Sequence, residues 1–270
     1  MVLKPLTKYE LEQIFDDTAK SVIKFYLNRS LLAQPEIVEG QNSLPIQIPK
    51  EHLEQYIVQA IGATGVGAGS YGVDVITDSF GADVKMVSTK YTDKGNLEKS
   101  SGETSLAQNF INTGVNLDTL FENKEWNTIV SGWIEILSNK LNKVINENPG
   151  INDIYYLFVI RDKSIFHLCG LRVDLDEINT ISPLIDKNNN IKATDTSLYI
   201  DNFIDSNLGN VKIYKSKKRM ELRLHPKYWF KNNLTISFNL LHNNDPINAR
   251  DIVENHLEND YMNNFINNLF

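Results

Sequence analysis

Three residues, Asp74, Asp83 and Lys85, have the types and spacing to do chemistry together. Two strand-like segments, GVDVIT at 72–77 and ADVKMVS at 82–88, flank the turn-forming Asp78-Ser79-Phe80-Gly81, which predicts a β-hairpin. With Asp78 facing Gly81, Ile76 lies opposite Asp83 and Asp74 lies opposite Lys85. Side chains alternate along a strand, so the three charged groups emerge on one face of the sheet. Directly opposed residues stand ~5 Å apart at Cβ and diagonal ones ~7 Å. Two carboxylates that close repel each other unless a cation sits between them, and hard oxygen donors suit Mg²⁺. Such an ion polarises a phosphoryl oxygen and lowers the pKa of its water. The Lys85 ammonium then stabilises developing negative charge or helps activate the attacking water. That set is sufficient for phosphodiester hydrolysis.

The context strengthens the choice. Asp83-Val84-Lys85 interrupts an apolar strand, where charges cost free energy unless paired or metal-bound. Glu122-Asn123-Lys124, preceded by Asp118, has the same acid-x-Lys spacing. It sits in a polar helix start, where the helix dipole alone explains a carboxylate. The plainer alternative for the first set is a half-exposed hairpin with an Asp–Lys cross-strand pair. The hairpin register is the weak link, because a slip of one residue would move Asp74 to the opposite face.

The elements around the hairpin are readable from periodicity. Thr7 and Glu10 have capping-box spacing, and Leu11, Ile14, Phe15, Val22, Ile23 and Tyr26 continue at helical spacing as one amphipathic helix. A loop with Pro35, Gly40 and Pro45 precedes a second helix, opened by Pro49, with Leu53, Tyr56, Ile57, Ala60 and Ile61 on its apolar face and Gly62 as its stop. A polar loop runs from Lys90 to Glu103. A long helix over about 124–146 follows, with Trp126, Val130, Trp133, Leu137, Leu141 and Val144 on one stripe, ended by Asn148-Pro149-Gly150. DIYYLFVI at 153–160 reads as a buried strand, and SIFHLCGLRV returns beside it. Shorter strands are expected at 211–214, 219–225 and 234–240, then an Asn-rich helical C-terminus. The fold class is α/β, with a central mixed β-sheet flanked by helices.

Asp74, nine residues on to Asp83-Val84-Lys85, resembles the PD-(D/E)XK nuclease motif, and the helix–strand–strand–helix–strand run over about residues 49–160 resembles the core that carries it. Gly72-Val73 stands where the motif's label has a proline, and Asp83 stands where it has Asp or Glu. The resemblance implies a restriction-endonuclease-like core in a single nuclease domain over 1–270. Residues 161–270 would then supply DNA-recognition and oligomerisation elements. It implies Asp74, Asp83 and Lys85 as catalytic residues, with Asp74, Asp83 and Val84 as the Mg²⁺ set. Many members add a glutamate from the helix before the hairpin, and Glu54 or Glu51 fits that role, with Glu54 preferred for its place beside Leu53. By size and by the absence of helicase or ATPase motifs, type II restriction endonucleases match best. A palindromic duplex DNA target then implies a homodimer or higher homo-oligomer, paired functionally with a DNA methyltransferase.

Composition sets the outer bounds. Hydrophobic residues make up 41% of the 270 and charged ones 23%, the balance of a globular chain. No apolar run approaches the ~20 residues of a spanning helix, and MVLKPLTKYE lacks the apolar core of a secretory signal. The single cysteine, Cys169, lies in an apolar stretch and reads as a buried reduced thiol, so a cytoplasmic, non-membrane protein is expected. The net charge of −7 argues against coating nucleic acid non-specifically, yet the charge is segregated. Eight basic residues fall between Lys212 and Lys231 against one acid, Glu221, whereas 251–260 carries four acids and no Lys or Arg. Lys217, Lys218 and Arg219 are expected on DNA, and Arg223 is the expected base reader. Ser88, Thr89 and Lys90, just past the catalytic strand, are expected on phosphates. A basic strand edge that discourages aggregation would look the same.

Other signals are weak. Gly67 to Gly72 matches G-x-G-x-x-G, but with a helix before it and a strand after it, the reverse of a dinucleotide site. Asp174, Asp176 and Glu177 suit a surface turn. His52, His167, His225, His242 and His256 show no zinc-ligand spacing with Cys169. A repair or structure-specific PD-(D/E)XK nuclease and a non-catalytic DNA-binding protein with a degenerate nuclease core are the competing functions.

Overall fold

The computed structural model describes residues 1–30, 34, 46–66, 71–110, 114 and 116–240. Outside them lie Pro35, Gly40, Pro45, Gly67 to Ser70, His242, His256, the acidic segment 251–260 and the helical C-terminus expected above.

The chain opens with β1 (Leu3–Pro5), α1 (Lys8–Ile14) and α2 (Asp17–Arg29). The capping box forms as expected: the Thr7 hydroxyl accepts from Glu10 N–H at 3.2 Å, and the Glu10 carboxylate accepts from Thr7 N–H at 2.8 Å. The single helix expected here is two. Phe15 leaves helical geometry at φ −114°, ψ 79°, and Asp16 starts a new helix by accepting from Ala19 N–H at 2.8 Å. A capping carboxylate satisfies the free donors of a new helix start, which periodicity alone does not register.

α3 (Lys50–Ala60) follows Pro49 and stops before Gly62, whose φ of +65° suits glycine. Next come β2 (Thr64–Gly65), β3 (Val75–Ile76), β4 (Phe80–Ser88), β5 (Thr104–Gln108), α4 (Leu117–Glu122), α5 (Trp126–Glu147), β6 (Asp153–Asp162) and β7 (Ile165–Val173). The last third holds β8 (Ser182–Pro183), β9 (Ser197–Asp201), β10 (Gly209–Tyr214), β11 (Arg219–Leu224), α6 (Pro226–Lys231) and β12 (Ile236–Asn239).

Among the described residues the strands form the expected mixed sheet flanked by helices, and beside it a second sheet that was not expected. The larger is seven-stranded and mixed, ordered β1-β7-β6-β4-β3-β2 with β12 also on β7; the smaller is five-stranded, ordered β5-β11-β10-β9-β8. β4 and β6 run parallel, and α5 makes the crossover between them. β6 is buried on both faces, which its unbroken apolar run requires. Tyr155, Leu157 and Val159 pack with α1, α2 and α3; Tyr156, Phe158 and Ile160 pack with α5 and the inner face of the smaller sheet. The α5 stripe Val130, Trp133, Leu137, Leu141 and Val144 is buried as its spacing predicts. Cys169 is buried and free. Among the described residues no helix is long and apolar enough to cross a membrane.

Candidate active site

The predicted hairpin forms, with a different register. Val75 pairs with Ala82 and Ile76 with Gly81, so Asp74 comes opposite Asp83 rather than Lys85, and Ile76 does not face Asp83. Thr77 is the reason. Its N–H donates to the Phe80 carbonyl at 2.9 Å, and its hydroxyl accepts from Ser79 N–H at 3.2 Å and Phe80 N–H at 3.0 Å. That closes the turn on Asp78-Ser79. The shift is two residues, so parity is kept and Asp74, Asp83 and Lys85 still share a face.

The expected strand at 72–77 shrinks to Val75–Ile76 because the chain parts from β4 at Asp74. The Asp74 N–H still donates to the Ala82 carbonyl at 2.9 Å, but beyond it the Asp74 carboxylate substitutes for the missing strand, accepting from Val84 N–H at 2.8 Å. The incoming chain is pressed against α5 at Gly72: a Cβ there would lie 2.8 Å from the Lys140 carbonyl and 2.7 Å from Val144 Cγ2. Glycine is required by that approach.

Asp83 is 3% exposed, in the middle of the sheet. Lys85 Nζ donates to its Oδ1, and Lys140 Nζ, from α5, lies 3.4 Å from its Oδ2. Lys140 also donates to the Leu106 carbonyl at 3.3 Å. That carbonyl is free because β5 bulges: Ser105 pairs with Glu221 and Ala107 with Met220, which leaves Leu106 as the extra residue. Lys140 was missed in the sequence. Its signal was a cation at helical spacing between Leu137 and Val144, inside the buried stripe. Tyr156, in register with Asp83 on β6, was also missed; its hydroxyl is buried and has no hydrogen-bond partner among the described residues.

The electrostatics divide the two acids. Burial pushes the Asp74 carboxyl up, and the adjacent Asp83 charge adds to it, giving a pKa of about 7. Burial also raises Asp83, but the Lys85 and Lys140 ammoniums outweigh it and hold its carboxyl below the usual carboxylate range. Burial and the Asp83 charge together push the Tyr156 phenol up. The pair therefore carries one negative charge firmly on Asp83 and one proton on Asp74 that is poised near neutrality.

Asp74, Asp83 and the Val84 carbonyl fit a magnesium ion in donor type, since all are hard oxygens. In a strand the N–H and C=O of one residue point to the same flank, so the Val84 carbonyl faces the side that β3 has vacated. A cation bound there would displace an ammonium from Asp83. Neither Glu54 nor Glu51 joins the cluster. Their helix packs Leu53 and Ile57 with Val75, Ala82 and Val84, on the sheet face opposite Lys85. Among the described residues no group of three or more His, Cys, Asp or Glu converges at metal-binding distance.

The residues expected on DNA are scattered and partly engaged. Ser88 accepts from Arg161 Nη2 at 2.8 Å, Thr89 donates to Asp162 at 3.0 Å, and Lys90 is exposed. Arg223 is clamped on Glu103, which also takes the Lys217 ammonium at 2.9 Å. Glu103 lies outside the basic run in sequence but folds onto it. Lys218 and Arg219 are exposed at the β10–β11 turn. Comparison of this chain with protein-family models, curated proteins and solved structures finds no match to any of them.

Proposed function

We propose that this chain is a magnesium-dependent endonuclease that hydrolyses phosphodiester bonds of double-stranded DNA at a specific sequence, in the manner of a type II restriction enzyme. One observation carries the reading: a buried aspartate held ionised by two ammoniums sits opposite a second aspartate poised near pH 7, where a strand leaves its ladder. The chain order of α3, the β3–β4 hairpin, then β5 and α4, the crossover helix α5 and the parallel strand β6 supports the reading. Magnesium, when bound, would polarise the phosphoryl oxygen and lower the pKa of its water. Asp74 and Asp83 hold the site's negative charge, and Asp74 takes up or releases a proton at its carboxylate. Lys85 and Lys140, freed from Asp83, stabilise charge on the phosphate oxygens. Two-fold symmetric cutting of a palindrome calls for a homodimer, and a cognate DNA methyltransferase would protect the host.

Incubation of the purified protein with plasmid and phage DNA tests this. Discrete fragments with Mg²⁺, lost with EDTA and in Lys85→Ala, are expected. No cleavage of diverse unmethylated DNA overturns it, and a smear or cutting only of branched DNA assigns a repair-type nuclease instead. A second reading has its own observation: both Asp83 oxygens are already engaged by ammoniums, as in a structural ion cluster. On that reading the protein binds DNA without cutting it, and Asp83→Asn leaves DNA binding unchanged.

A further inference from the structure

The outer face of the five-stranded sheet is polar, and it divides in two. A row of cross-strand neighbours runs over it: Lys192, Tyr199, Lys212, Glu221 and Ser105. Tyr199 N–H donates to the Lys192 carbonyl at 3.1 Å, Lys212 pairs with Tyr199 and Glu221, and Glu221 pairs with Ser105. On the β5 side the cations around Glu103 are answered, whereas Arg219, paired in register with Gln108, is exposed and makes no ion pair among the described residues. Glu103 and Glu221 take Lys217, and Glu103 takes Arg223 and the Tyr214 hydroxyl. On the β9 side nothing answers. Lys192 Nζ and Lys212 Nζ stand 4.4 and 4.2 Å from the centre of the Tyr199 ring, and neither pairs with a carboxylate among the described residues.

We infer that the Lys192–Tyr199–Lys212 patch binds the phosphodiester backbone of nucleic acid, and that the Arg223–Lys217 cluster does not. Three features support it. The patch concentrates uncompensated cations on a chain whose net charge is −7, so its field is locally opposite to that of the molecule. The ring fixes both ammoniums without neutralising them, so they keep their capacity to bind an anion. Lys212, Lys192 and Arg223 together lower the Tyr199 phenol's pKa, Lys212 most strongly through its hydrogen bond, which marks a positive local field. The face also begins beside the catalytic strand: Gly102 N–H donates to the Ser88 carbonyl at 2.8 Å, one residue before Glu103. The inference takes its ligand from the nuclease reading, but binding is measured apart from cleavage.

The test is fluorescence anisotropy with a labelled DNA duplex in EDTA, over a range of NaCl, comparing wild type with Lys192→Ala/Lys212→Ala. Loss of two phosphate contacts should weaken binding about tenfold or more and reduce the log–log salt slope by about 2. Lys217→Ala should leave the slope unchanged. Lys8→Ala/Lys24→Ala, on the helices behind the other sheet, is the control for net charge. An unchanged slope in the Lys192/Lys212 variant, or an equal change in the Lys8/Lys24 variant, overturns the inference. If DNA binds through this patch but is never cut, the nuclease reading fails and the patch stands. Matching thermal unfolding curves show that each variant is folded.

Discussion

Two clusters in this molecule have the same ingredients and different fates. Asp74 and Asp83 meet Lys85 and Lys140; Glu103 and Glu221 meet Lys217 and Arg223. In each, one acid is held ionised and its neighbour is pushed up: Asp83 and Glu103 low, Asp74 and Glu221 high. Their ionised acids differ in depth and in closure. Asp83 is 4% exposed at its side chain, whereas the Glu103 and Arg223 side chains keep 20% and 31%. Glu103 is closed by a guanidinium, an ammonium and a phenol together. Asp74 instead sits at a break in a β-ladder, with backbone polar groups where a strand is missing. Charge count alone does not distinguish the two clusters. Burial combined with open ligand positions does.

The largest effect should come from breaking the buried cluster. Asp83→Ala strands two ammoniums beneath α5 and should cost about 3–5 kcal/mol, read from urea unfolding. Glu103→Gln leaves its partners near solvent and should cost about 1 kcal/mol or less. Equal costs would erase the distinction between the clusters. Next, Lys85→Ala should lower DNA cleavage about a hundredfold or more while leaving most of the stability, because Lys140 still faces Asp83.

Asp74 sharpens the comparison through pH. Its pKa in the folded state lies above the unfolded value, so its stabilising contribution is complete below pH 4 and is lost as pH rises towards about 7. Wild type without metal should therefore lose stability over that range relative to Asp74→Asn, with a slope difference approaching about 1.4 kcal/mol per pH unit. Parallel curves would mean that Asp74 does not hold its proton. Ionised Asp74 is also the form that binds a cation, so Mg²⁺ affinity should climb with pH and level off above about 7. The smallest effect belongs to Lys140→Arg. It should keep the ion pair and the fold but reduce cleavage by about tenfold, since a planar fork does not reproduce a point charge aimed at both Leu106 and Asp83. Full activity in Lys140→Arg would reduce Lys140 to a structural counter-ion.

Much of the frame was legible in the residues. The α5 stripe, the doubly buried β6, the capping box at Thr7 and the charged interruption of β4 each follow from periodicity or from the cost of burying charge. The hairpin register did not, because the Thr77 hydroxyl chose the turn. The break after Phe15 turns on the Asp16 cap, which periodicity does not register, and the second sheet and β5 were missed because short strands such as Thr104–Gln108 carry too little periodicity to stand out. Arg223 looked free in the sequence because its partner, Glu103, is remote along the chain and adjacent only across the sheet.

What the sequence by itself determined was that Asp83 and Lys85 share one face, and Asp74 with them for any even register shift. Side-chain alternation has a period of two, and that conclusion survived a register shift of two. What only the tertiary structure decided was the company they keep: Lys140 from the crossover helix, the Leu106 carbonyl freed by a bulge, and the gap where β3 leaves β4. Local spacing reports which way a residue points. Which groups arrive from elsewhere to neutralise a buried charge depends on packing between elements far apart in the chain, and that decides whether an acid is held ionised or kept near neutrality.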